Sequence, residues 1–282
     1  MELIVQPDDG LDPLVEAVKA AEKRVDILIF RFDRDALEKA LEDAVQRGVA
    51  VRAMIAHTNR GGEGRLRKLE LRLLERGVTV SRTADDFIRY HGKMMIVDDR
   101  LFVLGFNYTK TDIEKSRSFG LITTDKKQVA AAEALYDADS SRQPFTPACD
   151  DDFVVSPECS RVALTHFIKD AEKQILIYDE KLSDPTILRL LQAKAKDGLD
   201  VRVLGKLGKV GKGTQDVKCV KLKDRRLHVR AIVIDGKAVS IGSQSLRKLE
   251  LDSRREIALI CRTSAIAKRV AEVFETDWAA SQ

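Results

Sequence analysis

Apolar residues in this chain fall into two kinds of segment that alternate. Short runs rich in β-branched residues, such as residues 25–32, have the length and composition of buried strands. Between them, apolar residues recur every three or four positions, as in residues 34–47, and Gly48 follows in the position that ends a helix. This alternation predicts an α/β fold with a mostly parallel sheet and helices on its faces.

The pattern occurs twice along the chain. Residues 5–8 (VQPD) and 21–25 (AEKRV) have counterparts 150 positions later, at residues 155–158 (VSPE) and 171–175 (AEKQI). A repeat of this kind indicates two structural units of the same design. We therefore predict a duplicated α/β/α sandwich, each half a mixed, mostly parallel sheet flanked by helices.

The second copy is shorter than the first. Further along, matching positions are only 137 apart, so 13 residues are missing from the second copy. They are missing where the helix-like stretch 64–74 is replaced by the glycine- and lysine-rich residues 205–213, which form a helix poorly. We predict an N-terminal half at residues 1–137, a linker with two prolines at residues 138–152, and a C-terminal half at residues 153–282.

Composition places the chain among globular proteins. Hydrophobic residues make up 44% and charged residues 33%, which excludes a disordered chain. No apolar run is long enough to span a bilayer, and the first residues do not have the pattern of a signal peptide. The four cysteines, Cys149, Cys159, Cys219 and Cys261, have no metal-type spacing, so we expect isolated thiols in a cytosolic protein. Peripheral contact with a membrane remains compatible with that location.

Two matching segments carry the candidate chemistry. Residues 90–99 (YHGKMMIVDD) contain His91 and Lys93, and the second copy contains His228 and Arg230. Side chains two positions apart in an extended strand point to the same face, so each histidine should lie beside its cation. A proton carrier or nucleophile beside a fixed positive charge suits chemistry at a phosphate group.

Each motif continues in the same way. Asp98 and Asp235 stand five residues after the cations, at the turns of predicted hairpins, so we interpret them as structural supports. Seven residues after each aspartate comes a glycine that opens a polar turn. These turns supply candidate neutral donors: Asn107 in the first copy, and Ser243, Gln244 and Ser245 in the second.

The paired motifs, each with its aspartate and glycine, resemble those of the phospholipase D superfamily. The resemblance covers nearly the whole chain. It implies a phospholipase D-like fold with two halves related by pseudo-twofold symmetry, whose motifs meet in one central cleft. It also implies that one histidine attacks phosphorus to form a phosphohistidine while the other protonates the leaving alcohol, with no metal or other cofactor. One chain then suffices for a complete site.

The physical argument agrees with this mechanism. An alkoxide is a poor leaving group, so covalent catalysis at a phosphodiester needs a nucleophile and an acid on opposite sides of phosphorus. Two imidazoles with ordinary pKa values of about 6.5 suit both tasks near neutral pH. Lys93 and Arg230 would neutralise charge on the nonbridging oxygens.

The chain departs from the family pattern at several positions. Arg230 replaces the usual lysine, the first polar turn is one residue short and lacks serine, and Ser245 replaces the usual asparagine. The family places an orienting carboxylate after each histidine. Glu256 stands 28 residues after His228, whereas Phe119 stands at the matching position after His91.

The sequence leaves the nucleophile open between the two histidines. We expect Glu256 to orient His228, and Asp112 or Glu114 to substitute at His91. Family chain order favours His91 as the nucleophile, whereas the Glu256 pairing favours His228. We prefer His91.

Three functions are compatible with these residues. We favour a phosphodiesterase or phosphatidyltransferase that acts on phospholipids. A nuclease of the same superfamily is the alternative, supported by nine lysines and arginines against two aspartates in residues 206–230. Only 5% of residues are aromatic, which provides few stacking platforms for nucleic acid bases. The third is a degenerate, anion-binding pseudoenzyme. Hydrolysis and transfer are not distinguished by the sequence.

Overall fold

The computed structural model describes residues 1–149, 152–208 and 216–282. The first half of the chain forms strands and helices in alternation. Its strands are β1 (Glu2–Gln6), β2 (Arg24–Ile29), β3 (Ala50–Ile55), β4 (Thr79–Arg82), β5 (Arg89–Tyr90), β6 (Met94–Val97), β7 (Arg100–Leu104) and β8 (Ser116–Thr123). Its helices are α1 (Asp12–Ala20), α2 (Asp35–Gln46), α3 (Glu63–Glu75), α4 (Lys110–Lys115) and α5 (Lys126–Ser140).

The second half has a similar order, without a counterpart of α3 among the described residues. Its strands are β9 (Phe153–Val155), β10 (Gln174–Leu182), β11 (Asp200–Leu207), β12 (Lys218–Val220), β13 (Arg226–Leu227), β14 (Arg230–Ile234), β15 (Ala238–Gly242), β16 (Arg254–Arg255) and β17 (Ile257–Cys261). Its helices are α6 (Ser160–Lys169), α7 (Pro185–Lys196), α8 (Lys248–Asp252) and α9 (Ser264–Ser281). In the first half α3 occupies the predicted helical stretch. Of the replacement stretch in the second half, β11 includes 205–207, and residues 209–213 lie outside the described residues.

Each half builds one large sheet. The first has the strand order β1-β8-β7-β6-β2-β3-β4, and the second has the order β12-β11-β10-β14-β15-β17-β9. The duplicated α/β architecture is therefore confirmed. The predicted limits of the two halves stay a prediction, and α5 continues to Ser140, into the predicted linker.

The expectation of mostly parallel sheets is wrong. Along the two strand orders, the parallel neighbours are β2, β3 and β4 in the first sheet and β10, β11 and β12 in the second; the remaining neighbours are antiparallel. Beside the first order, β13 pairs in parallel with β8. Parallel neighbours need a long crossover connection, usually a helix. Such helices are α2 between β2 and β3, α3 between β3 and β4, and α7 between β10 and β11. The histidine motifs open tight hairpins, and a hairpin makes its two strands antiparallel.

The two halves share a core. One apolar cluster contains buried residues from both sheets, including Leu28 and Phe119 from the first half and Tyr178 and Leu259 from the second. The rings of Phe119 and Tyr178 pack edge to face with centroids 5.4 Å apart. Burial of aromatic rings across the junction stabilises the two halves as one unit. The histidine motifs are therefore held at a packed interface.

The prediction of four isolated thiols is wrong for two of them. Cys149 and Cys159 form a disulfide with their Cα atoms 5.1 Å apart. The end of the predicted linker folds back onto the start of α6, which brings the two residues within the range that a disulfide spans. Cys219 and Cys261 are free, the first exposed and the second buried. The cytosolic location stays a prediction with fewer free thiols to support it.

None of the helices in the described ranges is long and apolar enough to cross a membrane.

Candidate active site

Both motif histidines line one cavity. Its volume is about 210 Å³, and residues of both halves surround it. We call it the histidine cavity. It is lined by His91, His228, Asn107, Phe30, Glu180 and the arginines Arg31, Arg60, Arg89, Arg226, Arg230, Arg247 and Arg254. The predicted meeting of the two motifs in one cleft is therefore what the structure shows.

Each histidine is held by a strand of the opposite half. The amides of His91 and Gly92 donate to the carbonyl of Arg255, at 2.8 and 3.0 Å. The amides of His228 and its neighbour donate to the carbonyl of Arg117, both at 3.3 Å. Short parallel pairings of β16 with β5, and of β13 with β8, continue these contacts. The halves therefore hold each other's motifs in place.

His91 has a carboxylate behind its ring. Its Nδ1 lies 2.9 Å from Oε2 of Glu256, which is completely buried. A carboxylate at Nδ1 favours the tautomer with a proton on that atom and leaves Nε2 free to react. The expectation that Glu256 orients His228 is wrong, because Glu256, which lies between β16 and β17, faces the histidine of the opposite half.

Lys93 lies on the other side of the same ring. Its Nζ is 2.9 Å from Nε2 of His91 and 2.6 Å from the carbonyl of His91. Burial lowers the pKa of Lys93 to about 7, although the charge of Glu256 opposes that shift. Burial and the charges of Lys93 and Arg230 also hold the pKa of His91 well below its usual value. In the free protein, a neutral His91 therefore accepts from Lys93.

His228 has a different environment. Its Nδ1 lies 3.0 Å from the carbonyl oxygen of Gly105, and its Nε2 lies 3.5 Å from Oδ2 of Asp112. Burial holds the pKa of His228 well below its usual value, and the charge of Asp112 opposes this effect. Asp112 was expected beside His91, so that expectation is wrong. Glu114, its suggested alternative, pairs with Arg34 at 2.9 Å instead.

The two motif hairpins differ in the length of their turns. Val97 pairs with Arg100 across the first turn, whereas Ile234 pairs with Ala238 across the second. The second turn is thus one residue longer. Beyond it, matching positions in the two halves are 138 apart instead of 137.

With this spacing, the counterpart of Glu256 is Ser118 and not Phe119. The side chain of Ser118 is buried, and its Oγ has no hydrogen-bond partner among the residues that the structure describes. The second histidine therefore has no carboxylate in this place. His228 donates from Nδ1 to the carbonyl of Gly105 instead.

The same spacing corrects the interpretation of the polar turns. The amide of Thr109 donates to the carbonyl of Asn107 at 2.8 Å, and that of Arg247 donates to the carbonyl of Ser245 at 2.7 Å. Asn107 and Ser245 therefore occupy matching places. The first turn is not one residue short, and Gly105 stands where the second half has Ser243.

The predicted neutral donors do not all reach the cavity. Only Asn107 lines it. Ser243 Oγ accepts from the amide of Ile257 at 3.1 Å, Gln244 donates to a backbone carbonyl at 3.0 Å, and Ser245 donates to Asp179 at 2.5 Å. These three side chains have partners within their own half.

The two motif aspartates lie at the hairpin turns. Asp98 accepts from the amides of residues 22, 23 and 24 at 2.8–3.0 Å, and Asp235 accepts from those of residues 172, 173 and 174 at 2.8–2.9 Å. Three backbone donors lower the pKa of each carboxyl group. Each aspartate therefore ties its hairpin to the start of the neighbouring strand.

Positive charge dominates the walls of the histidine cavity. Arg230 donates to the carbonyl of His228 at 2.5 Å and lies 3.5 Å from Glu180. Within residues 1–149, 152–208 and 216–282, Arg31, Arg60 and Arg89 have no carboxylate within 4.0 Å. The charges of its arginine neighbours, together with burial, lower the pKa of Arg89. This excess of cations indicates an anionic ligand.

Most of these arginines lie outside the two sequence motifs. Arg89 and Arg226 are the exceptions with a sequence signal, because each stands two residues before a motif histidine. Arg31, which lies inside the run 25–32 predicted as a strand, and Arg60 belong to neither motif. No cluster of His, Cys, Asp or Glu in the described ranges has an arrangement that could hold a metal ion.

Comparison with known proteins identifies the family. The model of the family described as "Cardiolipin synthase, PLD-like domain" matches residues 14–139 and 164–278. The chain belongs to the phospholipase D superfamily. Human mitochondrial cardiolipin hydrolase is 32% identical to this phospholipase D-like chain over 127 residues, which are 43% of this chain and 47% of the human protein. The match thus spans about half the length of that relative.

Solved structures confirm the phospholipase D-like fold. Polyphosphate kinase from Porphyromonas gingivalis superposes on 98% of this chain with a TM-score of 0.79 and 18% identity, and the match covers 50% of that protein. Phosphatidylserine synthase from Haemophilus influenzae Rd KW20 superposes on 99% of this chain with a TM-score of 0.71 and 10% identity, covering 85% of that protein. At these identities the similarity establishes the fold alone.

Proposed function

We propose that this protein cleaves or transfers phosphodiesters through a phosphohistidine formed on His91. The observation that carries the proposal is the contact of Glu256 with Nδ1 of His91, inside a cavity that His228 also lines. The carboxylate stabilises the positive charge that the ring acquires when Nε2 attacks phosphorus. The Nδ1 of His228 contacts a neutral carbonyl and no carboxylate. His228 is therefore less suited than His91 to become a positively charged phosphohistidine, and we assign it the proton transfers.

The first step forms the covalent intermediate. Nε2 of His91 bonds to phosphorus, and the bond from phosphorus to the leaving alkoxide breaks. Protonated His228 gives its proton to that alkoxide. The negative charge of a bound phosphodiester favours protonation of His228 and supports this role.

The second step reverses these roles. Neutral His228 takes the proton of a water molecule or of a second alcohol, whose oxygen attacks phosphorus. The bond between phosphorus and His91 then breaks, and the free imidazole is restored. Water gives hydrolysis, whereas an alcohol gives phosphatidyl transfer; exclusion of water decides between them.

The cations around the histidines stabilise the transferred group. Lys93, which contacts Nε2 of His91 in the free protein, would move its hydrogen bond to a nonbridging oxygen. Arg230 and Asn107 line the same cavity and would supply further donors. Asp112 would help to hold His228 in its protonated form. Asp98 and Asp235 would act only by fixing the hairpins.

The family supports phospholipids as substrates. The matched family model and the human relative both carry cardiolipin in their names. The ring of arginines supports the second candidate, a nuclease, because a single phosphodiester has only one negative charge.

Hydrolysis of bis(4-nitrophenyl) phosphate in EDTA tests the proposed reaction. We expect turnover by the natural chain and its loss in both His91→Ala and His228→Ala. His166→Ala, which changes an exposed histidine of α6, is the matched control and should keep full activity. If the natural chain binds orthovanadate but shows no more turnover than the two histidine variants, the protein is an anion-binding pseudoenzyme and the proposal is refuted.

A further inference from the structure

A second, larger groove adjoins the histidine cavity. This groove has a volume of about 560 Å³ and shares Glu180 and Arg226 with the cavity. We call it the basic groove. Its cationic side chains are Lys115, Lys206, Lys221, Lys223, Arg225 and Arg226, against the acidic Glu180 and Asp224.

Several of these cations have no acidic neighbour. Within the part of the chain that the structure describes, Lys115, Lys206 and Lys221 have no carboxylate within 4.0 Å, and all three are exposed. Arg225 lies 3.5 Å from Asp8, a pair that is open to solvent. Exposed pairs of this kind contribute little energy, so Arg225 can exchange its partner for a phosphate.

A single phosphodiester does not match the charge of these walls. Among the described residues, three of the seven arginines in the histidine cavity (Arg31, Arg60 and Arg89) have no carboxylate within 4.0 Å, and the basic groove adds five more cations beyond the shared Arg226. A ligand with phosphates at regular intervals would neutralise cations in both places. Because the two spaces adjoin at Glu180 and Arg226, a substrate that extends along both would meet cations in each.

The lining of the two spaces favours a nucleic acid strand. Phe30 is the one apolar side chain among the described residues of the histidine cavity, which suits acyl chains poorly. The basic groove includes Leu222 and Leu227 beside its cations. Sugars and bases can cover such apolar surface while the phosphates contact lysine and arginine. Inorganic polyphosphate has nothing to place against the leucines.

Arg226 occupies the junction of the two spaces. Its guanidinium pairs with Asp112 and lies 3.1 Å from Ser116 Oγ, and its side chain is 45% exposed. Asp112 in turn faces Nε2 of His228 at 3.5 Å. A phosphate bound at Arg226 would therefore lie next to the groups that surround the second histidine.

We propose that the basic groove binds further phosphates of a single-stranded nucleic acid whose scissile phosphodiester lies in the histidine cavity. The binding part stands without the proposed reaction, whereas the cleavage part rests on it. Recognition through phosphates carries no base specificity.

The binding test compares two double variants with the natural chain in EDTA. Lys115→Gln/Lys221→Gln removes two unpaired cations of the groove. The control Lys237→Gln/Lys268→Gln removes two exposed lysines outside it. Fluorescence anisotropy of a labelled 12-nucleotide DNA strand, measured over a range of salt, reports affinity.

We expect the groove variant to bind about tenfold more weakly, with its logarithmic salt slope reduced by about 1.4 for two lost contacts. The control should stay within twofold of the natural chain. Equal binding by both double variants would overturn the proposal. The proposal would also be overturned if inorganic polyphosphate competed more strongly for the site than an unlabelled DNA strand of equal charge.

The cleavage test separates the groove from the reaction itself. The groove variant should hydrolyse bis(4-nitrophenyl) phosphate normally, because that substrate fits the histidine cavity alone, but should lose about tenfold in kcat/KM on the oligonucleotide. Failure of all bis(4-nitrophenyl) phosphate hydrolysis would refute the proposed function and leave the binding result intact. Cleavage of cardiolipin in vesicles that depends on the groove lysines, without strand cleavage, would overturn the nucleic acid proposal in favour of a lipid.

Discussion

Replacement of Glu256 by glutamine tests the assignment of the nucleophile. The side chain is completely buried, and its Oε2 lies 2.9 Å from Nδ1 of His91. At that distance, a unit charge pair is worth about 6 kcal/mol at an effective dielectric constant of about 20. Lys93 and Arg254, which is 3.9 Å from Glu256, already compensate part of this carboxylate charge.

After this compensation, about half of the Glu256–His91 interaction energy stabilises the transition state, in which His91 becomes positively charged. A loss of about 3 kcal/mol lowers kcat by about 100-fold or more. Stopped-flow measurement of 4-nitrophenol release from bis(4-nitrophenyl) phosphate reports the first step directly. Glutamine is nearly isosteric with glutamate and can still accept from Nδ1–H, so the fold should be retained.

The matched control is Asp26→Asn. Asp26 is also completely buried and accepts from Arg52 at 2.6 and 2.7 Å, in strand β2. This variant should unfold more easily, because it breaks the buried pair and leaves Arg52 only the exposed Asp137, at 2.8 Å, but kcat should change by less than about twofold. If Glu256→Gln keeps kcat within threefold while Asp112→Asn abolishes the first step, His91 is not the nucleophile.

Three further outcomes follow from the same contacts. Asp112→Asn removes a charge that raises the pKa of His228, so less of this histidine is protonated and able to act as the acid. The kcat should therefore fall about tenfold for alkyl phosphodiesters. It should change little for 4-nitrophenyl esters, because their leaving group needs no acid. Burial lowers the pKa of Lys93 to about 7 in the folded protein, from 10.5 in the unfolded chain, so between these pH values the unfolded chain binds more protons than the folded one. The free energy of unfolding of the natural chain should therefore rise by about 2 kcal/mol between pH 7 and 9, relative to that of Lys93→Met. Urea titration at each pH measures this difference. Cys149→Ser/Cys159→Ser opens the disulfide between residues ten positions apart and should lower the free energy of unfolding by about 2–3 kcal/mol.

Each of these has its own control. A uniform loss with both classes of leaving group would show that Asp112 does not act through the acid. Equal pH dependence of unfolding in the natural chain and in Lys93→Met would exclude this lysine as its cause. Cys219→Ser changes an exposed free thiol and should leave stability unaltered. A similar loss in that variant would remove the disulfide as the explanation.

The fold could be predicted from the sequence because its signals are local. The strand and helix periods and the repeat gave the elements, and the alternation of side chains placed Lys93 beside His91. The proportion of parallel strands was wrong because the hairpins after the motifs reverse the chain. Pairing of Cys149 with Cys159 depends on how the linker folds back, which no local pattern shows.

The site was predicted less completely because its contacts cross between the halves. Glu256 is close to His228 in sequence, yet the pseudo-twofold arrangement places it against His91. The second hairpin turn has one extra residue. A constant spacing of 137 residues therefore aligns Glu256 with Phe119, whereas its structural counterpart is Ser118. Most cavity arginines come from loops and short strands whose positions depend on tertiary packing.

The most direct test of the account is to map the covalent intermediate. Bis(4-nitrophenyl) phosphate has a leaving group that departs without an acid, so His228→Ala should form the intermediate and resolve it slowly. Mass spectrometry of the rapidly quenched protein should then find the phosphoryl adduct on the peptide that contains His91, with none in His91→Ala. An adduct on His228, or an adduct that persists in His91→Ala, would contradict the proposed mechanism.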